Sequence, residues 1–137
     1  MSKAYILDAC AVIAFVKRET GWEKISALME HSFIGEADVY MHEINLLEIY
    51  YGLRRENNES YAKKIVSEVE YFCSIISGLA PNVFYEAGRL KSEFKISLAD
   101  SIILAEAIAL DAFLVTSDHH EFDMIEKHEP VSFLWLR

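Results

Sequence analysis

The feature that most constrains this chain is Lys3-Ala4-Tyr5-Ile6-Leu7-Asp8, an apolar run that ends in a carboxylate close to the start of the sequence. Tyr5, Ile6 and Leu7 make the continuous bulky stretch expected of a strand covered on both faces. Asp8 stops the run, and Ala9 and Cys10 lead into Val12-Ile13-Ala14-Phe15-Val16, which reads as helical. A buried strand passing straight into a helix points to an open α/β sheet, and such sheets bind ligands at the carboxyl ends of their strands. Asp8 falls at that edge. A lone acid ending a buried strand needs a partner, because an uncompensated buried charge is costly.

The rest of the chain alternates in the same way. Thr20-Gly21-Trp22-Glu23 has capping-box spacing and opens an amphipathic run with Trp22, Ile25, Leu28 and Met29 on one side. Asp38 to His42 reads as a second strand and Ile44 to Leu53 as a helix, followed by a polar turn over Arg54 to Ser60. Tyr61 to Phe72 has helical periodicity, and Cys73 to Ser77 reads as a third strand. Pro81 suits a helix start, with Val83, Ala87, Leu90 and Phe94 at helical spacing. Ser97 is positioned to cap a mostly apolar, hence central, helix over Leu98 to Leu110. Ala112 to Thr116 is a fourth strand, and Val131 to Trp135 a last one at an edge. Strands alternating with helices imply a five-stranded, mostly parallel sheet with right-handed crossovers, several filled by two helices.

A length of 137 residues, 53% hydrophobic, fits one globular domain spanning 1–137 with a sizeable core. No apolar run approaches the roughly 18 residues of a membrane span, and the first residues lack the apolar region and cleavage site of a signal peptide. Cys10 and Cys73 are the only cysteines, too few for a disulfide framework, so reduced thiols in a cytoplasm are expected. The net charge of −9, from 13 basic and 22 acidic residues, opposes a broad nucleic-acid-binding surface. Any nucleic-acid contact has to be local.

Four acids lie beside apolar sequence and outside solvated charge runs: Asp8, Glu48 in Leu46-Leu47-Glu48-Ile49, Asp100 in Leu98-Ala99-Asp100-Ser101-Ile102, and Asp118 in Val115-Thr116-Ser117-Asp118. In an α/β sheet, strand ends and the first turns of the following helices share one edge, which makes Asp8, Asp100 and Asp118 neighbours. Clustered carboxylates repel unless a cation fills the gap, and all-oxygen ligands suit Mg²⁺ or Mn²⁺. Two such ions activate a water and stabilise the leaving oxygen of a phosphodiester. Plainer roles compete at each position. Asp100 completes a capping box with Ser97, Asp118 caps a short helix starting at His119, and Glu48 lies on a solvated helix face. Cys10 reads as a small core residue rather than a nucleophile, since no His stands near it in sequence. His119 and His120 read as exposed loop residues.

Taken together, these motifs resemble those of PIN-domain ribonucleases, and in size and order those of VapC-type toxins of toxin–antitoxin pairs. The resemblance spans essentially the whole chain, with Asp8, Glu48, Asp100 and Asp118 matching the four family acids in order. It implies a PIN-like three-layer α/β fold and a Mg²⁺ or Mn²⁺ site held by Asp8, Asp100 and Asp118. It also implies catalysis by those three with Glu48, an RNA substrate, a homodimer and an antitoxin protein partner. Thr116 is expected to support Asp118 from the strand end. Cys10 stands where the family commonly has Thr or Ser, so a hydroxyl near the metal is lost, which bears on the level of activity.

Two other readings stand beside this one. A catalytically degenerate PIN domain would act as a binding module. A phospho-acceptor α/β domain also places an acid after its first strand, but a phosphotransferase needs a second Asp where Cys10 stands, and a receiver needs a late-strand Lys that Thr116 to Asp118 does not offer. No Gly-rich loop follows the first strand, which disfavours a dinucleotide binder.

Overall fold

The structure is a computed structural model that describes residues 2–137. The elements run β1 (Lys3–Leu7), α1 (Ala9–Val16), α2 (Trp22–Phe33), β2 (Ala37–His42), α3 (Glu43–Glu56), α4 (Glu59–Phe72), β3 (Ser74–Ile76), α5 (Pro81–Glu93), α6 (Leu98–Leu110), β4 (Phe113–Thr116), α7 (His119–His128) and β5 (Ser132–Trp135). The strands form one five-stranded sheet in the order β3-β2-β1-β4-β5, and every pairing is parallel.

β1 lies at the centre, and its side chains alternate across the sheet. Leu7 faces a core with Val12, Ile25, Ile49 and Ile65, from α1 to α4. Ile6 faces the opposite core with Leu90, Leu104 and Phe122, from α5, α6 and α7. The result is three layers with helices on both faces, the arrangement that buries a parallel sheet. Both residues are almost fully buried, which is why Tyr5-Ile6-Leu7 is apolar throughout instead of alternating. From β1 the chain winds outward to β2 and β3, then returns to β4 on the other side of β1 and continues to β5. The winding therefore reverses between β1 and β4. Their adjacent carboxyl ends form the crevice where such folds bind ligands.

Several local expectations are corrected. Thr20 does not cap α2: the N-cap is Gly21, at φ 93°, with no side-chain hydrogen bond. A Cβ at Gly21 would stand 2.1 Å from the Leu136 carbonyl oxygen, so the site requires glycine. The polar stretch from Arg54 to Ser60 is mostly helical, because Arg54, Arg55 and Glu56 are good helix formers and continue α3. Only Asn57 and Asn58 separate α3 from α4, and the Asn58 side chain accepts from the Tyr61 amide at 2.7 Å. His119 and His120 are exposed but open α7 and do not lie in a loop. Cys10 is exposed rather than in the core, because it lies in the first turn of α1 at the sheet edge. Among the described residues, no helix is long and apolar enough to cross a membrane.

Candidate functional site

Asp8 follows the last residue of β1 and is 3% exposed. It is also the N-cap of α1: its Oδ1 accepts from the Ala11 amide at 2.8 Å. Its Oδ2 accepts the Thr116 hydroxyl, which reaches across from the end of the neighbouring β4. The same Thr116 oxygen accepts from the Asp118 amide at 3.0 Å. One buried hydroxyl thus ties the end of β1 to the turn after β4. Asp118 in turn caps α7, accepting from the Glu121 amide at 3.1 Å. Asp100 lies in the first turn of α6, where its amide donates to Ser97 Oγ at 3.1 Å. Each of the three aspartates therefore sits at a helix N-terminus, where backbone amides and the helix dipole favour negative charge. Capping and clustering coexist: the Asp8 and Asp118 side chains cap their helices, and Ser97 caps the helix that carries Asp100.

Burial and mutual repulsion both act on these acids. Burial pushes the Asp8 carboxyl up to about 7, against hydrogen bonds from Thr116 and Ala11 that hold it down, and the charges of Asp118 and Glu48 raise it further. Asp100 is likewise pushed up to about 7, first by burial, with Ser97 holding it down and Asp8, Glu121 and Asp118 adding repulsion. Burial also raises Glu48, countered by its hydrogen bond from Asn45. The Cys10 thiol is pushed up to about 12, first by desolvation and then by the charges of Asp8, Asp118, Asp100 and Glu48. A thiol held protonated in that way is a poor nucleophile.

All four sequence-predicted acids thus converge on one edge, and Thr116 supports both Asp8 and Asp118. Two further residues were not anticipated. Asn45 donates from Nδ2 to Glu48 Oε1 at 3.0 Å and is almost fully buried. Glu121, in the first turn of α7, adds a fifth negative charge beside Asp100. Their sequence signals are faint: Asn45 and Glu48 are one helical turn apart, and Glu121 lies three residues after a capping acid. Among the described residues, no ion pair involves Asp8, Glu48, Asp100 or Asp118. Nor do any three His, Cys, Asp or Glu side chains stand close enough to form a ready coordination sphere. Mutually repelling carboxylates hold apart, and hard divalent ions that keep several waters need few direct protein ligands.

Two other polar groupings are built differently. On α5, Arg89 forks onto Glu129, with Nη2 to Oε1 at 2.6 Å and Nη1 to Oε2 at 3.3 Å, and also bonds Glu86 and Glu93. Buried His42 at the end of β2 accepts the Ile44 amide on Nδ1 at 3.0 Å and donates from Nε2 to the Gly78 carbonyl at 2.8 Å, with Glu106 at 3.7 Å.

A family model described as the PIN domain matches residues 5–127. No curated protein matches the sequence. Among solved structures, VapBC2 from Rickettsia felis bound to a DNA fragment from its promoter is similar, with a TM-score of 0.74 and 21% identity over 96% of this chain and 97% of that one. DNA-bound VapBC from Salmonella typhimurium has a TM-score of 0.75 at 14% identity, over 100% of both chains. FitAcB from Neisseria gonorrhoeae has a TM-score of 0.66 at 19% identity, over 96% of this chain and 97% of that one. At these identities the likeness is one of fold.

Proposed function

The chain belongs to the PIN domain family, and from that premise we propose that it is a metal-dependent endoribonuclease, the toxin of a VapBC-type toxin–antitoxin pair, formed by one PIN domain spanning 1–137. The observation that carries the reading is the edge itself: Asp8 and Asp100, both raised to about 7, gather with Asp118 and Glu48 with no cationic side chain paired to them among the described residues. The residues fit a hard divalent cation. Every acid offers oxygen, and the buried Asn45 Oδ1 beside Glu48 lacks any hydrogen-bond partner.

Asp8, Asp100 and Asp118 would hold Mg²⁺ or Mn²⁺, directly or through water. Bound there, the cation would activate a water and neutralise charge on the leaving oxygen of a phosphodiester. Glu48, held by Asn45, completes the site and orients the attacking water. Thr116 keeps Asp8 and Asp118 in fixed relation from the end of β4. The expected products carry a 3′-hydroxyl and a 5′-phosphate. The net charge of −9 favours a short single-stranded or looped RNA segment over extended duplex.

The partners follow from the same reading. The similar VapBC structures support a small antitoxin, whose arginine would set a guanidinium against the carboxylates in place of the metal's charge. A homodimer is consistent with aromatics such as Tyr51 left exposed on α3. The compartment would be the cytoplasm, where Cys10 and Cys73 stay reduced. The family match disfavours the phospho-acceptor alternative. One observation favours a second, binding-only reading: Cys10 offers the acids a protonated thiol where a hydroxyl is usual in the resemblance drawn above.

The deciding assay is cleavage of a structured-RNA pool with Mg²⁺, Mn²⁺ or EDTA, run beside Asp8→Asn. Cleavage that needs metal and disappears in Asp8→Asn supports the nuclease. Equal cleavage by both proteins identifies a contaminant, and no cleavage by the metal-loaded chain supports the binding-only reading. Cys10→Ser should match or exceed the wild type; a collapse would point to thiol chemistry.

A further inference from the structure

Asn45 lies in the first turn of α3 and is 1% exposed. An amide at such a place competes with the helix backbone for hydrogen bonds, so its burial calls for partners at both of its atoms. Nδ2 has one, Glu48 Oε1 at 3.0 Å. Oδ1 has none, and it is the only buried side-chain polar atom in that condition among the described residues. Turning the amide over does not help, because it would face one acceptor oxygen toward the acceptor Oε1 of Glu48. The position of Glu48 places this amide beside the acid cluster, since the Glu48 charge acts on both Asp8 and Cys10. An acceptor with no donor at the rim of several carboxylates matches a water held on a cation, which has protons to give and is turned outward by the metal.

We propose that Asn45 is a positioning residue of the metal centre: its Oδ1 accepts a hydrogen bond from a water on the divalent cation while its Nδ2 fixes Glu48. The inference rests on the metal-dependent reading above and adds to it a specific anchor outside the four acids. It also accounts for a buried polar residue that apolar packing alone would not select.

The test is Mn²⁺ binding to the purified full chain, followed by calorimetry and by water-proton relaxation, with melting temperatures of the metal-free proteins alongside. Asn45→Leu keeps the volume and removes both polar atoms. It should leave the metal-free melting temperature close to that of the wild type, because losing the unpartnered oxygen offsets losing the bond to half-buried Glu48. It should weaken Mn²⁺ about tenfold to hundredfold, the range found when outer partners of a metal site are lost. Asn45→Asp keeps an acceptor and adds a further negative charge beside Glu48, so it should melt lower without metal yet retain Mn²⁺ binding. A purely structural Asn45 predicts the reverse: a lower melting temperature for Asn45→Leu and unchanged affinity. If Asn45→Leu binds Mn²⁺ within about twofold of wild type while Asp8→Asn does not bind, the role of Asn45 is overturned and the metal centre stands. If wild type and Asp8→Asn bind Mn²⁺ alike, the metal centre falls and Asn45 with it. Should Asn45→Leu fail to fold, Asn45→Ala replaces it: affinity lost in Ala and kept in Asp supports the proposal, and equal affinity in the two overturns it.

Discussion

Two regions of this molecule collect carboxylates, and they are built on opposite principles. On α5, Glu86, Glu93 and Glu129 surround Arg89, whose guanidinium satisfies them through geometrically matched hydrogen bonds. At the carboxyl edge of β1 and β4, Asp8, Glu48, Asp100 and Asp118 meet with backbone amides, hydroxyls and one carboxamide, and among the described residues none of them is paired with a guanidinium or ammonium. The first cluster has a cation at its centre. The second is held by neutral donors that orient the acids without neutralising them. The fold thus supplies arginine to one acid cluster and neutral donors to the other.

The largest way to break this contrast is pH. Asp8 has a folded value of about 7 against an ordinary 3.8, so between those values the fold keeps a proton that the unfolded chain has released. Metal-free stability should therefore be highest below about pH 4 of that window and fall as pH rises toward 7, by on the order of 4 kcal/mol from Asp8 alone. Asp100 acts in the same direction with a smaller, solvent-screened share. Melting temperatures measured from pH 4 to 8 with EDTA check this, and a curve that rises with pH would contradict it. Mn²⁺ affinity should climb through the same window, because the metal displaces the protons.

The next effect is on turnover. Asp8→Asn keeps the shape and removes the charge, and should lower metal-dependent RNA cleavage by about 3–4 kcal/mol, a few hundredfold, in initial-rate assays. Smaller again is the gain from the cation: Mn²⁺ at a hundredfold excess over its Kd should stabilise the wild type by about 2.7 kcal/mol and Asp100→Asn by clearly less. A melting temperature unmoved by millimolar Mn²⁺ would sink the metal centre. The smallest effect sharpens the other side of the comparison. Arg89→Met removes a cation whose side chain is 37% exposed, so denaturant titration should show a loss of only about 1 kcal/mol, diminished by salt and insensitive to Mn²⁺.

Asp8 and Asp118 were legible because each follows an apolar strand, and Asp100 because it lies in the first turn of an apolar helix; a parallel sheet brings strand ends and helix starts to one edge. Glu48 was legible only through the spacing of its neighbours, since an acid inside a helix is ordinarily solvated. Asn45 and Glu121 were not legible. Their importance depends on which helix face turns inward, and that is decided by packing of α3 and α7 and not by local composition. The Arg54 to Ser60 stretch was misread for a related reason: polarity suggested a turn, while the helix propensity of Arg54, Arg55 and Glu56 prevailed until Asn57. The capping box at Thr20 fails because position 21 is the cap, and the contact that requires glycine there comes from Leu136, more than a hundred residues away.

That last contact bears on how the molecule opens. Edge strands ordinarily fray first, but the residues at the end of β5 are laced inward. The Leu136 amide donates to the Thr116 carbonyl at 3.0 Å, Lys24 Nζ reaches the Trp135 carbonyl at 2.6 Å, and the backbone at Gly21 presses against Leu136. The turn between α1 and α2 and the segment after β5 therefore cannot detach separately. Thr116, which carries the hydroxyl shared by Asp8 and Asp118, is held on its other side by this same lacing. Amide hydrogen exchange at Leu136 should accordingly follow global unfolding, and Gly21→Ala should convert that protection into fast local exchange that spreads to the Asp118 amide.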